Sequence, residues 1–237
     1  MKRSVRTALG GLAALWIMGL LGAMVWAHWP REVTAKAVPA GEIERALQRP
    51  AGTPISWCRG QAEVPLLPVR GQYLVRDGDL FLAGAALVSG SLAQARYSAT
   101  VEYLPAPVHV YGQLEGPLLP FMRRAGPAGI PETQCVDLWC GVQQAVAGNL
   151  RGLHVRRDRG LSVLGPDSET ELFPGRGYVA AASLIWKNLG IAVDGKHVVV
   201  SADGQPVFDF HLAQPLTGAV ALDTHDGAAI INRIEVR

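Results

Sequence analysis

The chain has 237 residues, of which 49% are hydrophobic and 18% charged, with 22 Lys and Arg against 20 Asp and Glu. This composition excludes a disordered charged tail and a polybasic protein that binds nucleic acid. Lys2, Arg3 and Arg6 precede the first apolar run, and without them the rest of the chain carries 19 cations against 20 anions. The small positive net charge therefore indicates membrane topology.

The N-terminal segment, residues 1–27, is predicted to be a membrane anchor. Ala8–Ala27 contains 20 residues and no charge. At about 1.5 Å per residue this run spans about 30 Å, the thickness of the hydrocarbon core, whereas a secretory signal has about 7–15 apolar residues. Cleavage after Val25-Trp26-Ala27 is the alternative. The basic end predicts a single-pass protein of the bacterial cytoplasmic membrane, in contact with the lipid bilayer, whose C-terminal domain lies on the periplasmic side.

Residues 28–60 are predicted to form a tether. Four prolines interrupt the segment, and a short helix over Gly41–Leu47 fits between two of them. Residues 61–237 then show the pattern of a β-sandwich domain. Apolar runs on both sides of Asp77-Gly78 predict a hairpin, and the alternation in Arg96–Tyr103 predicts a half-buried strand.

The C-terminal third carries the strongest strand signals. Asp194-Gly195 and Asp203-Gly204 separate β-branched runs, a pattern that predicts three antiparallel strands. Ala219–Leu222 and Ala229–Val236 supply two more, and a hairpin is predicted within Leu153–Leu164. Many short strands without helical periodicity favour an all-β fold, a jelly-roll sandwich of antiparallel strands.

Trp186–Gly195, followed by Val198–Val200 and Asp203–Asp209, resembles the concanavalin A-like and laminin-G-like jelly rolls, most closely bacterial domains related to the 3-keto-disaccharide hydrolases. The resemblance covers about residues 150–237 and is thin over 73–103. It implies two curved antiparallel sheets. Because such domains include glycan binders, glycosidases and protein-docking modules, the resemblance does not select a function.

Cysteine spacing predicts one disulfide. Cys135 and Cys140 bracket a short loop that contains Trp139, and an exported compartment permits a disulfide between them. Cys58 is then left over, and its pairing with either of the other two cysteines stays open.

The sequence shows no motif for catalysis, a metal or a cofactor. Retaining glycosidases need two carboxylates about 5 Å apart, and the nearest pair, Glu169 and Glu171, lies in a polar loop. His225 with Asp223 and Asp226 could meet on one loop, but the spacing matches no metal signature and surface polarity explains it more simply. No cofactor and no metal are therefore expected, and the protein is predicted to be non-catalytic.

The insertion Pro105–Pro131 contains six Pro and four Gly in 27 residues. A loop of this length in a compact domain is usually functional or disordered. Its apolar and basic residues are predicted to dock on a protein, unless the apolar ones cover a core edge. The predicted docking residues are Leu118, Leu119, Phe121, Met122, Arg123 and Arg124.

A second basic cluster lies around the predicted turn after Leu153-His154-Val155. It is expected to be a solvated hairpin tip, with anion binding as the alternative. Its members are Arg151, Arg156, Arg157 and Arg159.

Three functions follow in order of preference. An anchor, a rigid domain and docking residues favour a non-catalytic accessory or scaffold subunit that docks on a membrane protein complex through the transmembrane helix and the insertion. The first alternative is a carbohydrate-binding module of the cell envelope, with Trp139 and Tyr111 as stacking platforms. The second alternative is a glycoside hydrolase.

Overall fold

The computed structural model describes residues 18, 33–49, 54–76, 78–88, 92, 96–105, 136–146, 148–157, 161–165, 187–224 and 229–237. The chain divides into two compact units, residues 1–32 and 33–237. None of the helices in the described ranges is both long enough and apolar enough to span a membrane. The predicted anchor lies outside these ranges except for Met18, which is helical, so the anchor and the cellular location remain predictions.

The second unit is an all-β body with one helix in its described part. Its elements are β1 (Val33–Lys36), α1 (Ala40–Gln48), β2 (Ile55–Cys58), β3 (Leu67–Arg76), β4 (Asp79–Leu87), β5 (Arg96–Pro105), β6 (Val136–Val146), β7 (Asn149–Arg157), β8 (Leu161–Leu164), β9 (Lys187–Asp194), β10 (His197–Ala202), β11 (Gln205–His211), β12 (Ala219–Asp223) and β13 (Ala229–Val236). The main path of the network runs β11-β10-β9-β5-β13-β4-β12-β6-β7-β8, with β1, β2 and β3 beside it. The described ladders are antiparallel, which confirms the predicted all-β class.

The sheet curls so that its two halves share one core, as in a β-sandwich. Tyr97 and Val101 of β5 belong to the same buried cluster as Leu138 of β6 and Val155 of β7. Along β5 the buried residues alternate as the sequence predicted, because successive side chains of a strand point to opposite faces. Each half therefore has an inner face in the core and an outer face directed away from it.

Strand β4 joins the two halves by changing neighbours at Gly84. Its residues 80–82 pair with β13, and residues 85–87 pair with β12. Gly84 has a φ of 118°, and a Cβ there would lie 2.2 Å from the Arg70 carbonyl oxygen. The Gly84 amide donates to Thr224 Oγ1 at 2.8 Å. Only glycine fits this bend, since the left-handed region and the close backbone both exclude a side chain.

Residues 33–49 and 54–58, read from the sequence as part of a tether, contain elements that pack into the sandwich. Strand β1 pairs with β3, and β2 pairs with β13. Helix α1, close to the predicted Gly41–Leu47, buries Ile43 in a second apolar cluster on the outer side of β6. Trp57 of β2 is 1% exposed. The prolines thus separate packed elements, because each element has an apolar face to bury.

The predicted disulfide between Cys135 and Cys140 is not formed. Cys140 is a buried free thiol in the middle of β6, and Cys58 is also free; Cys135 lies outside the described residues. The strand alternation directs Cys140 into the core next to Tyr97. Burial raises the pKa of the Cys140 thiol well above its ordinary value, against a smaller opposing effect of the Tyr97 hydroxyl.

Candidate functional site

The outer face of β7, β6, β12, β4 and β3 carries a row of charged residues. Arg156 lies opposite Asp137, and Asp137 lies opposite Asp223. Asp223 lies opposite Ala85, and Ala85 lies opposite Arg70. Residues directly opposite in a ladder project from the same face. Two guanidinium groups therefore flank two carboxylates, and we call Arg156, Asp137, Asp223 and Arg70 the ion row.

An aromatic pair lies beside the ion row on the same face. Trp139 and His154 are opposite each other in β6 and β7, and their rings stack with centroids 3.9 Å apart and planes 11° apart. His154 Nε2 also bonds Asp137 Oδ2. The Trp139 side chain is partly exposed and packs against the apolar cluster under α1. This Trp–His stack therefore holds an aromatic ring in a fixed position between the helix and the ion row.

The two carboxylates are desolvated, whereas their cations reach solvent. The Asp137 side chain is 0% exposed and that of Asp223 is 9% exposed, against 37% for Arg156 and 38% for Arg70. Arg70 Nη2 lies 2.8 Å from both oxygens of Asp223, and Arg156 Nε lies 3.8 Å from Asp137 Oδ2. Asp137 and Asp223 carry like charges opposite each other in the ladder and therefore repel. The contacts with Arg70, Arg156 and His154 offset this repulsion.

Small residues allow Arg70 to reach Asp223 across an intervening strand. Ala85 separates the two in the row and presents only a methyl group. The stem of Arg70 lies close to Gly148 in the turn between β6 and β7, where an added Cβ would be 3.4 Å from the Arg70 Cβ. Arg70 is therefore bordered by the β6–β7 turn at its stem and by Asp223 at its guanidinium group.

Some of the residues predicted to be functional come together at this face. Trp139 lies in the stack and Arg156 in the ion row, whereas Asp223, which the sequence grouped with His225 and Asp226, is paired with Arg70. Arg151 and Arg157 lie in β7. These predicted residues fall outside the described ranges: Tyr111, Leu118, Leu119, Phe121, Met122, Arg123, Arg124, Cys135, Arg159, Glu169, Glu171, His225 and Asp226.

Sequence reasoning missed Asp137, His154 and Arg70 as site residues. For Asp137 a signal was present: Val136, Leu138 and Cys140 alternate with Asp137 and Trp139, the pattern of a strand with one polar face. The cysteine spacing instead suggested a loop. Nothing local marks Arg70, because its contact with Asp223 joins residues 153 positions apart.

The arrangement is suited to binding. A partly exposed aromatic ring and two half-exposed guanidinium groups offer one stacking surface and several directed donors. Asp223 accepts from Arg70 with both oxygens, which fixes the Arg70 guanidinium on this face. Within the described ranges no three or more His, Cys, Asp or Glu side chains are grouped to hold a metal ion.

No family model and no curated protein matches the chain. Among solved structures, the carbohydrate-binding module CBM66 from Bacillus subtilis is similar at 10% identity and a TM-score of 0.48, over 73% of this chain and 95% of that one. Sheep galectin-11 matches at 13% identity and a TM-score of 0.41, over 66% and 99%. A Bacillus subtilis protein of unknown function with a galectin-like fold matches at 10% and 0.42, over 78% and 88%. These neighbours are consistent with the concanavalin A-like sandwich that the sequence resembles, and at such TM-scores they carry no argument about function.

Proposed function

We propose that the outer face of β3, β4, β12, β6 and β7 binds a saccharide. The observation that carries this proposal is the position of Trp139, partly exposed and stacked on His154 at 3.9 Å, beside a row of ion-paired side chains. Sites for small polar ligands combine an apolar or aromatic surface with a few fixed polar groups. The Trp–His stack and the ion row supply both on one sheet face.

The chemistry of sugars fits this combination. A pyranose ring presents C–H groups to an aromatic surface and hydroxyls at its edge, and charged planar groups hydrogen-bond hydroxyls more strongly than neutral ones. Arg156 and Arg70 can donate to such hydroxyls while Asp137 and Asp223 hold them in place. Because the row contains two cations and two anions, it favours a neutral saccharide over an acidic one.

Binding of the full chain to a panel of neutral and acidic saccharides tests this proposal. We expect Trp139→Ala and Arg156→Gln each to weaken retention of a bound neutral saccharide by about tenfold or more, equal to about 1.4 kcal/mol. Matched control variants are His197→Gln and Asp209→Asn, which alter the second, exposed His–Asp pair. Circular dichroism checks that each variant is folded.

Two results would contradict the proposal. One is a panel in which no member binds the folded parent protein. The other is a saccharide that binds Trp139→Ala and Arg156→Gln as tightly as the parent while the control variants lose it.

We also propose, on sequence grounds alone, that the insertion 105–131 docks the protein on a membrane complex. The support is the run of apolar residues followed by Arg123-Arg124 between prolines. Purification in mild detergent should recover a partner protein, and replacing residues 118–124 with Gly and Ser should release it while saccharide binding persists. Release of reducing sugar by the full chain, abolished by Asp137→Asn, would instead favour the glycosidase alternative.

A further inference from the structure

A second cluster of polar side chains lies at the opposite end of the network, on its edge strand β11. His197 of β10 lies directly opposite His211 of β11. The two imidazole rings are stacked, with centroids 4.8 Å apart and planes 20° apart. Both residues belong to the outer face of their strands, because Val198 and Phe208 on the alternate positions are buried in the core. Two imidazoles thus lie side by side at a solvent-accessible edge.

A carboxylate orients one of these rings. His197 Nε2 lies 2.7 Å from Asp209 Oδ1, and Asp209 projects from the same face of β11 as His211, two residues away. Histidines that bind metals commonly use their second ring nitrogen for such a bond to a carboxylate, which fixes the ring and makes it a better ligand. The bond through Nε2 leaves Nδ1 of His197 for a metal ion.

The surrounding charges also favour a cation. Asp194 lies opposite His197 on its other side, in β9. Its ion pair with Arg96, at 3.1 Å, joins side chains that are 60% and 82% exposed, so solvent screens the attraction. Lys196, in the turn before β10, is exposed and is the opposing charge. The imidazole pair therefore has Asp194 beside His197 in β9 and Asp209 beside His211 along β11, both on the same sheet face.

We propose that His197 and His211 form a two-imidazole site for a divalent transition metal ion of the kind imidazole prefers, such as Zn²⁺ or Cu²⁺. Because an imidazole nitrogen binds a metal in the plane of its ring, the exposed His211 ring has to turn out of the stack for both residues to share one ion. Asp209 acts as the positioning residue, and water completes the coordination. With only two protein ligands the site is open and exchangeable. A metal there would join β10 to β11 and is separate from the saccharide site.

Zn²⁺ titration of the full chain by calorimetry tests the site. We expect one Zn²⁺ per chain, and a loss of affinity of tenfold or more in His211→Gln. The variant Asp209→Asn should weaken binding by about tenfold, since loss of an orienting carboxylate typically costs about 10–100-fold. Cys58→Ser is the control, because this free thiol could also bind zinc, and we expect the variant to leave the titration unchanged.

Cu²⁺ locates the site independently of affinity. Its paramagnetism should broaden amide resonances of β10 and β11 first in a nuclear magnetic resonance titration, and His211→Gln should abolish that pattern. The substitutions on these strands affect exposed or half-exposed side chains, so we expect folded proteins. The proposal is overturned if His211→Gln binds Zn²⁺ like the parent, if Cys58→Ser abolishes binding, or if the broadening centres elsewhere.

Discussion

Each outer face of the sandwich contains a His–Asp pair stacked on a second ring, and the two pairs differ in burial. On the β10–β11 side, His197 and Asp209 are 40% and 67% exposed. On the β6–β7 side, His154 and Asp137 are 8% and 0% exposed. Trp139, which stacks on His154, packs against residues of helix α1 and the neighbouring strands, whereas the β10–β11 pair lies at a sheet edge.

The charged groups on the β6–β7 side are thus largely desolvated, whereas those on the β10–β11 side remain in contact with solvent. An exposed ion pair contributes about 0–1 kcal/mol, because solvent competes for both groups. A buried pair gains little net stability, yet removing one member leaves an uncompensated buried charge. The ion row is therefore a costly arrangement that only the whole set of partners makes tolerable. For this reason we place the saccharide site there, and the exchangeable metal site on the open face.

The largest expected difference in stability is between alanine substitutions of two matched carboxylates, Asp137 and Asp209. Asp137→Ala should lower the free energy of unfolding by about 3 kcal/mol, since it removes the hydrogen-bond partner of the buried His154 Nε2 and the counter-charge of Arg156. Asp209→Ala should change it by about 0.5 kcal/mol or less, as is usual for exposed positions. Urea denaturation of both variants measures the difference. Equal effects would show that burial does not distinguish the two faces.

Two glycines extend the comparison to the backbone. Gly84→Ala should cost about 3 kcal/mol, because it combines strain at a φ of 118° with a Cβ 2.2 Å from the Arg70 carbonyl oxygen. In Gly190→Ala, on the other outer face, the new Cβ comes closest to the Ser201 hydroxyl, at 2.7 Å, which can rotate away, and its next neighbour, Thr100 Oγ1, lies at an ordinary 3.5 Å. We expect a change within about 1 kcal/mol, since alanine also loses less backbone entropy. Thermal unfolding distinguishes them, and an equally harmful Gly190→Ala would contradict this view.

The smallest expected effect concerns the core that both faces share. Burial raises the pKa of Cys140 from an ordinary value of 9.0, so above pH 9 the unfolded chain loses a proton that the folded chain keeps. Fewer bound protons in the unfolded state mean that the free energy of unfolding falls as pH rises. Between pH 8 and pH 10 the loss due to Cys140 is about 1.4 kcal/mol.

Cys140→Ala tests this pH dependence. The variant should lose about 1.4 kcal/mol less than the parent over the same pH interval, as measured by urea denaturation at each pH. The pKa of Tyr97 is raised mainly by burial and to a smaller extent by Cys140. Because burial keeps Tyr97 protonated in both folded proteins over this pH interval, its contribution nearly cancels in the difference. Parallel stability curves for the parent and the variant would show that the Cys140 thiol does not couple to folding.

Much of the fold could be predicted locally. Asp203-Gly204 gives a hairpin because both residues adopt positive φ, 51° and 78°, which matches the twist of the flanking strands. The hairpins predicted at Asp77-Gly78 and Asp194-Gly195 and the alternation in β5 were confirmed, although Asp194 pairs with His197 and the second turn therefore consists of Gly195-Lys196. These signals lie within a few residues of the chain.

The prediction of a loop at 135–140 was wrong because a local cysteine spacing was given more weight than a strand pattern. The alternation through Val136–Cys140 belongs to β6, in which Cys140 is buried in the core and Trp139 lies on the outer face. Trp139 was predicted as a stacking residue, but its stack on His154 depends on the β6–β7 register.

The sequence by itself determined the all-β class, the hairpins and helix α1, since turn chemistry and periodicity act over short distances. Only the tertiary structure decided which polar residues form a site. The Arg70–Asp223 contact crosses β4 and requires the bend at Gly84, and the opposition of Asp137 to Asp223 requires β12 to lie beside β6. Burial and register between distant strands are properties of the packed sheet, and these properties separate the ion row from an ordinary solvated surface.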